Sequence, residues 1–313
     1  FRRDVHYIVE EEKIVLIDPQ TGRPTPDRTL PWGVQQVIEH REDLEISSNR
    51  AVIAKQSFQN YFRKYHKLAG MSGTIREVRS ELKRIYLTPV ARVRTNRPVI
   101  RKRLVRKLFL SSEDKINWAI GRSNAMATEG RAVLIGVSSV LLSEQIGQAL
   151  HRIGRDHDLL NARHLDVEAD IIALAGRAGR VTVVTNMAGR GTDIKLAPDV
   201  KKAGGLHVII LDTLETSRLE RQLFGRAGRQ GDPGSYDLAQ SLDEEELKRL
   251  IGKTGLKVVS ALHRVLPKLV IPFHYALVAQ RRRRLERIQR NRRLKLRKTE
   301  EKRNENLIFT RAD

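Results

Sequence analysis

The 313-residue chain has no cysteine. This excludes disulfides, thiolate-bound zinc and thiol nucleophiles. Aromatic residues are scarce at 5%, so a core has to rest on aliphatic side chains. Long apolar runs are missing as well. The longest stretches free of Asp, Glu, Lys and Arg are Ala132 to Ser143 and Leu269 to Gln280, 12 residues each, whereas a membrane-spanning helix needs roughly 20. Acid is in short supply, with 37 Asp and Glu against 59 Lys and Arg and a formal charge of +22. The chain starts at Phe1 without a leader pattern, so it reads as a piece of something longer or a processed product. Phosphate handling, carboxylates, histidine and arginine remain as sources of chemistry. What is present is a 40% hydrophobic content, too much for a wholly disordered chain. The length suits about two domains.

The excess base is concentrated at one end. Arg281 to Lys298 holds 11 Lys and Arg against the single acid Glu286, and the rest of the chain is still net positive. Such a surface attracts polyanions, either nucleic acid or an anionic lipid face. The last 30 residues are polar on nearly all sides and read as a solvated helix in need of a partner or as a disordered arm.

Residues 5 to 18 read as a hairpin, with Val5, Tyr7 and Val9 alternating, an acidic turn at Glu10-Glu11-Glu12 and the apolar run Ile14 to Ile17. Asp18 to Pro31 reads as a loop and Val34 to Glu45 as a helix. Phe58, Tyr61, Phe62 and Tyr65 fall on one helical stripe, expected to pack in a core or between domains. From about residue 90 the pattern becomes βα alternation. Helices are expected at 113–129, 143–153, 166–175 and 215–224, and strands at 132–137, 158–160, 181–184 and 206–211. Short apolar strands separated by helices predict an α/β fold, a parallel sheet with helices on both faces. After residue 243 the chain reads as helical. Trp32 and Trp118 are expected to pack, and His40, His66, His151, His157 and His164 have no metal-ligand spacing.

Two strings carry chemistry. Thr185 to Ile194, TNMAGRGTDI, directly follows a buried strand and is therefore expected at the carboxyl end of the sheet, the edge where open α/β sheets bind ligands. Gly189 and Gly191 permit close backbone approach to an anion, Arg190 carries a permanent charge, and Asp193 can anchor a loop or accept from a ribose hydroxyl or an arginine. A glycine-rich turn with no ligand is the alternative. Gln222 to Asp232, QLFGRAGRQGD, places Arg226 and Arg229 three apart beside glycines, which suits a phosphoryl oxygen. A solvated basic turn is the alternative here. With both strings expected at one sheet edge, phosphate binding is favoured.

Together the two strings resemble motifs V and VI of the second RecA-like domain of superfamily 2 motors. TNMAGRGTDI, GGLHVI at Gly204 to Ile209 and RAGRQGD at Arg226 to Asp232 are similar to the SecA preprotein translocase family. So are FQNYFRKYHKLAGMSGT at Phe58 to Thr74, TNRP at Thr95 to Pro98, LNAR at Leu160 to Arg163 and RDVHYIV at Arg3 to Val9, all in the family's order. The resemblance implies four segments: 1–30, the end of a preprotein cross-linking domain; 31–90, the return into a first nucleotide-binding domain; 91–242, a second RecA-like nucleotide-binding domain; and 243–313, the start of a helical scaffold with the basic tail.

By the same resemblance, Arg226 and Arg229 are arginine fingers for an interdomain ATP site, with Gln222 beside them. Gly189, Arg190, Gly191, Thr192 and Asp193 reach the nucleotide. The implied cofactors are ATP and Mg²⁺. The implied partners are a SecYEG-type channel, unfolded preproteins, anionic phospholipids and a second copy of the chain. The implied location is the cytoplasm and the cytoplasmic face of the membrane. The sequence departs from the family in lacking a G-x-x-x-x-G-K-[ST] string and an apolar strand ending in Asp-Glu. The Mg²⁺ ligands are therefore expected upstream of Phe1, and the chain alone is expected to be inactive. Gly252-Lys253-Thr254 reads as a helix-terminal turn. Two other readings stay open at this point: a nucleic-acid helicase module and a non-enzymatic membrane-surface adaptor.

Overall fold

The computed structural model describes residues 1–18, 24–48, 56–161, 168–185, 193–214 and 216–309. In it the acidic turn near the start is a tight hairpin. Glu11 and Glu12 both take left-handed backbone, φ 48° and 58°, the twist that a two-residue turn between antiparallel strands requires. They join β1 (Tyr7–Glu10) to β2 (Lys13–Ile17), and β3 (Pro24–Thr25) adds to the far side. Tyr7, Ile14 and Leu16 pack against Ile38 of α1 (Val34–Arg41). This helix ends four residues earlier than its pattern suggests. Asp43 turns left-handed at φ 54°, and the Leu44 amide returns to the Glu39 carbonyl at 2.9 Å, which closes the last turn.

The chain divides into two compact units. One comprises Phe1–Asn49, Thr95–Leu214 and Gln222–Pro272, the other Arg50–Arg94, Glu215–Arg221 and Phe273–Asp313. The helices α2 (Phe58–Arg63) and α3 (Arg79–Tyr86) belong to the second.

The first unit is built on six strands: β4 (Lys102–Phe109), β5 (Val133–Val137), β6 (His157–Leu160), β7 (Val181–Thr185), β8 (Leu206–Ile210) and β9 (Gly234–Ser241). All pair in parallel, in the order β4-β9-β8-β5-β7-β6. Every residue of β5, β7 and β8 is buried, as expected for strands covered on both faces. The crossovers carry α4 (Ser112–Thr128), α5 (Val140–Arg152), α6 (Glu168–Leu174), α7 (Pro198–Lys202) and α8 (Ser217–Phe224). This is the RecA-like α/β architecture expected from the sequence. Ser111 and Ser139 cap α4 and α5 by accepting from Asp114 and Leu142 amides. The cap at Ser139 starts α5 three residues before the apolar pattern does. After the sheet comes α9 (Glu245–Val265), broken at Gly252, where φ is 72°, and then α10 (Pro267–Phe309).

Two strands, β4 and β9, went unread in the sequence. β9 buries Ser235, Asp237, Gln240 and Ser241, so it carries no apolar run. Its polar interior is satisfied by a chain of donors. Arg131 Nη2 donates to Ser235 Oγ at 2.8 Å, and Ser235 Oγ lies 2.8 Å from His207 Nδ1. His207 Nε2 lies 3.1 Å from Asp237, which also accepts from Arg122 Nε and the Val105 amide. A neutral His207 with its proton on Nε2 makes every one of these contacts a proper donor–acceptor pair. Burial holds His207 below its usual pKa, outweighing the pull of Asp237. Burial pushes Asp237 up, but its bonds to His207 and Arg122 outweigh that and leave it below the usual carboxylate value. This Ser–His–Asp series is not a hydrolytic triad, because His207 and Asp237 have no exposed surface.

In the second unit, α10 is anchored on one side. Arg282 pairs with Glu220 and Arg293 with Glu81. Glu300 accepts from the Ser57 amide at 3.0 Å, and Glu301 pairs with Arg63 at 2.7 Å. Two expectations of packing in a core are not met. The stripe Phe58, Tyr61, Phe62 and Tyr65 is exposed, Phe58 by 74%. The helix α2 ends at Arg63, and the rings stack on one another, Phe58 against Phe62 at 6.3 Å. Trp32 is 94% exposed, at a residue whose φ is 66° in the turn before α1. Trp118 does pack, against Phe109.

Candidate functional site

The two chemistry-bearing strings meet, but not at the expected edge. β7 ends at Thr185; Gly189, Arg190, Gly191 and Thr192 lie outside the described residues. The chain is described again from Asp193. By then it has reached the amino edge of the sheet. The carbonyl of Lys195 lies against Gly176, in the connection leading into β7, and Ala197 donates to the Gly176 carbonyl. Arg226 and Arg229 sit in the loop leading from α8 into β9, again at amino ends. The sequence had placed TNMAGRGTDI at the carboxyl edge; a string after a strand fixes where the chain leaves, not where it goes next.

Asp193 accepts from Arg229 Nη1 at 2.6 Å, while Arg229 Nε donates to the Gly225 carbonyl at 3.1 Å. Arg226 and Arg229 line one recess of about 300 Å³ with Asp193, Lys195, Lys201 and Asp232. Lys201 pairs with Asp232 at 3.0 Å. Four cations thus face two carboxylates, so the recess keeps positive charge and suits an anion such as a phosphate. Gln222 lies on α8 and is not part of the recess wall.

The glycines beside the arginines serve the fold. Gly228 has φ 65°, and a Cβ there would stand 2.7 Å from Arg101 Cβ, so only glycine fits. A Cβ on Gly231 would meet the Arg97 side chain at 2.9 Å. Arg101 Nη1 donates to the Ala227 carbonyl at 2.8 Å, and Arg101 Cζ lies 4.9 Å from the centre of the Phe224 ring. Arg97 Nη1 reaches the Gln230 carbonyl at 3.4 Å. The arginine-bearing loop is therefore braced from behind by the segment that leads into β4.

The carboxyl edge holds a cluster that sequence reading missed. Lys115 of α4 is 3% exposed, 2.9 Å from Glu244 and 3.5 Å from Asp212. Burial pulls Lys115 down, but the two carboxylates outweigh it and hold it above its usual pKa. Asp212 accepts from the Ser138 amide, and Asp243 from the Ser112 amide and hydroxyl. Only the one-letter string Leu242-Asp243-Glu244 hints at it in the sequence. Among the described residues, no group of three or more His, Asp or Glu is placed to hold a metal ion. The described residues alone do not fit Mg²⁺. No helix among the described residues is long and apolar enough to cross a membrane.

The family models and the curated relatives agree on one family. A model described as the SecA P-loop domain matches residues 98–202 and 197–265, and one described as the SecA DEAD-like domain matches residues 4–83. The first match does not depend on a phosphate loop, since no G-x-x-x-x-G-K-[ST] string is present. A protein translocase subunit SecA 2 of Nitrosospira multiformis is 44% identical over 260 residues, covering 83% of this chain and 39% of the relative. A protein translocase subunit SecA of Porphyromonas gingivalis is 42% identical over 265 residues, covering 85% of this chain and 24% of the relative. Among solved structures, the E. coli DEAD-box protein SrmB overlaps 49% of this chain and 86% of its own at 17% identity and a TM-score of 0.40. The chain thus spans well under half the length of the curated relatives it matches.

Proposed function

The chain belongs to the SecA family, and from that premise we propose that it is part of an ATP-driven protein translocase motor. Its role there is to supply one wall of an interdomain nucleotide site. Arg226 and Arg229 stabilise negative charge that develops on the transferred phosphoryl group. Asp193 holds the Arg229 guanidinium until a phosphate competes for it. Gly189, Arg190, Gly191 and Thr192 complete the nucleotide-facing surface, with Gln222 beside it on α8. Residues 91–242 form the second nucleotide-binding domain. Residues 1–30 close a preprotein cross-linking domain, residues 31–90 return into the first nucleotide-binding domain, and residues 243–313 open a helical scaffold. ATP with Mg²⁺ supplies the phosphoryl chemistry, and the metal's ligands come from outside this chain. The partners are a SecYEG-type channel, unfolded preproteins, anionic phospholipids and a second copy of the motor, met at the cytoplasmic face of the membrane.

The observation that carries this reading is the convergence of Asp193, Arg226 and Arg229 on one net-positive recess. The test is ATP turnover by the full-length protein containing this chain, with Arg226→Ala and Arg229→Ala. Loss of an arginine finger typically costs about 10³- to 10⁵-fold in rate. Wild-type turnover in both variants would reject the assignment. The 313-residue chain by itself is expected to show no Mg²⁺-dependent turnover.

A further inference from the structure

The two sides of α10 are used differently. Arg282, Arg293, Glu300 and Glu301 point into contacts with Glu220, Glu81, Ser57 and Arg63. On the other side stand Arg284, Arg287, Arg292, Lys295, Lys298 and Lys302, all exposed. None of these six side chains has an ion-pair or hydrogen-bond partner among the described residues. At about 100° per residue and about 1.5 Å rise, they form a stripe about 27 Å long that spreads over about 140° of the helix surface. Between Arg284 and Lys302 the helix's acids Glu286, Glu300 and Glu301 all fall outside that arc. The one large apolar side chain within it is Ile288, 38% exposed.

A helix that lies in a bilayer surface inserts an apolar face. Here the face opposite the cations is occupied by ion pairs, and the cationic face offers a single isoleucine. A flat lipid surface also reaches only the crest of a rod, leaving the flanking cations in water. The walls of a groove reach both flanks at once. We propose that the exposed face of α10 docks a nucleic-acid duplex, with its cations on the phosphodiester backbones that border a groove. Such binding is independent of base sequence and strongly salt-dependent. It is also independent of the nucleotide recess, which uses none of these residues.

The test uses the intact chain and its quadruple variant R284Q/R287Q/K295Q/K298Q. Glutamine keeps helix propensity, and circular dichroism checks that the helix remains. The probe is a short fluorescent DNA duplex, read by anisotropy across a salt series, with an RNA stem-loop in parallel. Expected is tight binding at low salt by the parent chain. For the variant, a loss of at least about tenfold is expected, with a log–log salt slope shallower by up to about 3.6. Equal binding by both chains would overturn the proposal. So would a variant that keeps duplex binding but loses adsorption to vesicles of phosphatidylcholine and phosphatidylglycerol, because the stripe would then be a membrane contact.

Discussion

The two edges of the six-stranded sheet are built from the same kinds of side chain in opposite arrangements. At the carboxyl edge, carboxylates from Asp212 and Glu244 enclose one cation, Lys115, that is almost fully buried. At the amino edge, Arg226, Arg229, Lys195 and Lys201 surround a recess with only two acids, and Arg229 is 41% exposed. A closed cluster, whose surplus carboxylate charge is taken up by the amides of Ser112, Ser138 and Ser241, has little left to offer a ligand and serves as a joint between α4, β8 and α9. An open cluster with surplus charge contributes little to folding and stays available. The difference teaches where to look for function in this sheet: at the edge that is electrostatically unfinished, even though it is not the edge that strand topology favours.

The comparison can be broken most decisively at the open edge, where Arg226→Ala or Arg229→Ala should reduce ATP turnover of the full-length protein by orders of magnitude. Arg229→Ala should barely change the chain's unfolding free energy, by less than about 1 kcal/mol for its exposed pair with Asp193. A large midpoint shift would make that edge structural. At the closed edge, Lys115→Met should destabilise by about 3–5 kcal/mol, since it strands two carboxylates in a site with little water; urea unfolding measures it, and a neutral result would show that the cluster is not a joint. Asp237→Ala should cost a similar amount, because Arg122, His207 and the Val105 amide lose their common acceptor.

Acid sharpens the contrast further. His207 and Asp237 both sit below their usual pKa values, so the unfolded chain takes up protons before the folded one does. Stability should therefore fall as the pH drops below about 6.5 and fall again below about 4. In the Asp237→Asn variant the second decline should shrink. Gly228→Ala should cost at least about 1–2 kcal/mol from its left-handed backbone alone, and more because the new Cβ would stand against the Cβ of Arg101.

What the sequence disclosed depended on how each element satisfies its surroundings. β5, β7 and β8 were legible because burial on both faces demands apolar runs, and α4 because its periodicity is regular. β9 was hidden because Asp237 and Ser235 are buried by virtue of partners on β8 and α4, which no local pattern encodes. β4 was hidden because an edge strand tolerates the cations Lys102, Arg103, Arg106 and Lys107. For the candidate site, the glycine–arginine strings stood out, but their geometry did not. Which edge they occupy depends on the path after Thr185, and the approach of Arg229 to Asp193 crosses 36 positions. Nothing in the spelling of QLFGRAGRQGD marks Gln222 as the member left outside the recess. The exposure of the ring cluster on α2 was not legible, because an aromatic stripe has the same spacing whether or not something covers it.

The bracing of the arginine loop by Arg97 and Arg101 also sets an order of assembly. Those contacts join residues 133 and 126 positions apart, so they form only after most of the intervening chain has condensed. The loop that presents Arg226 and Arg229 therefore acquires its shape late. A product truncated from its amino end past Arg101 would hold these guanidinium groups without a backstop.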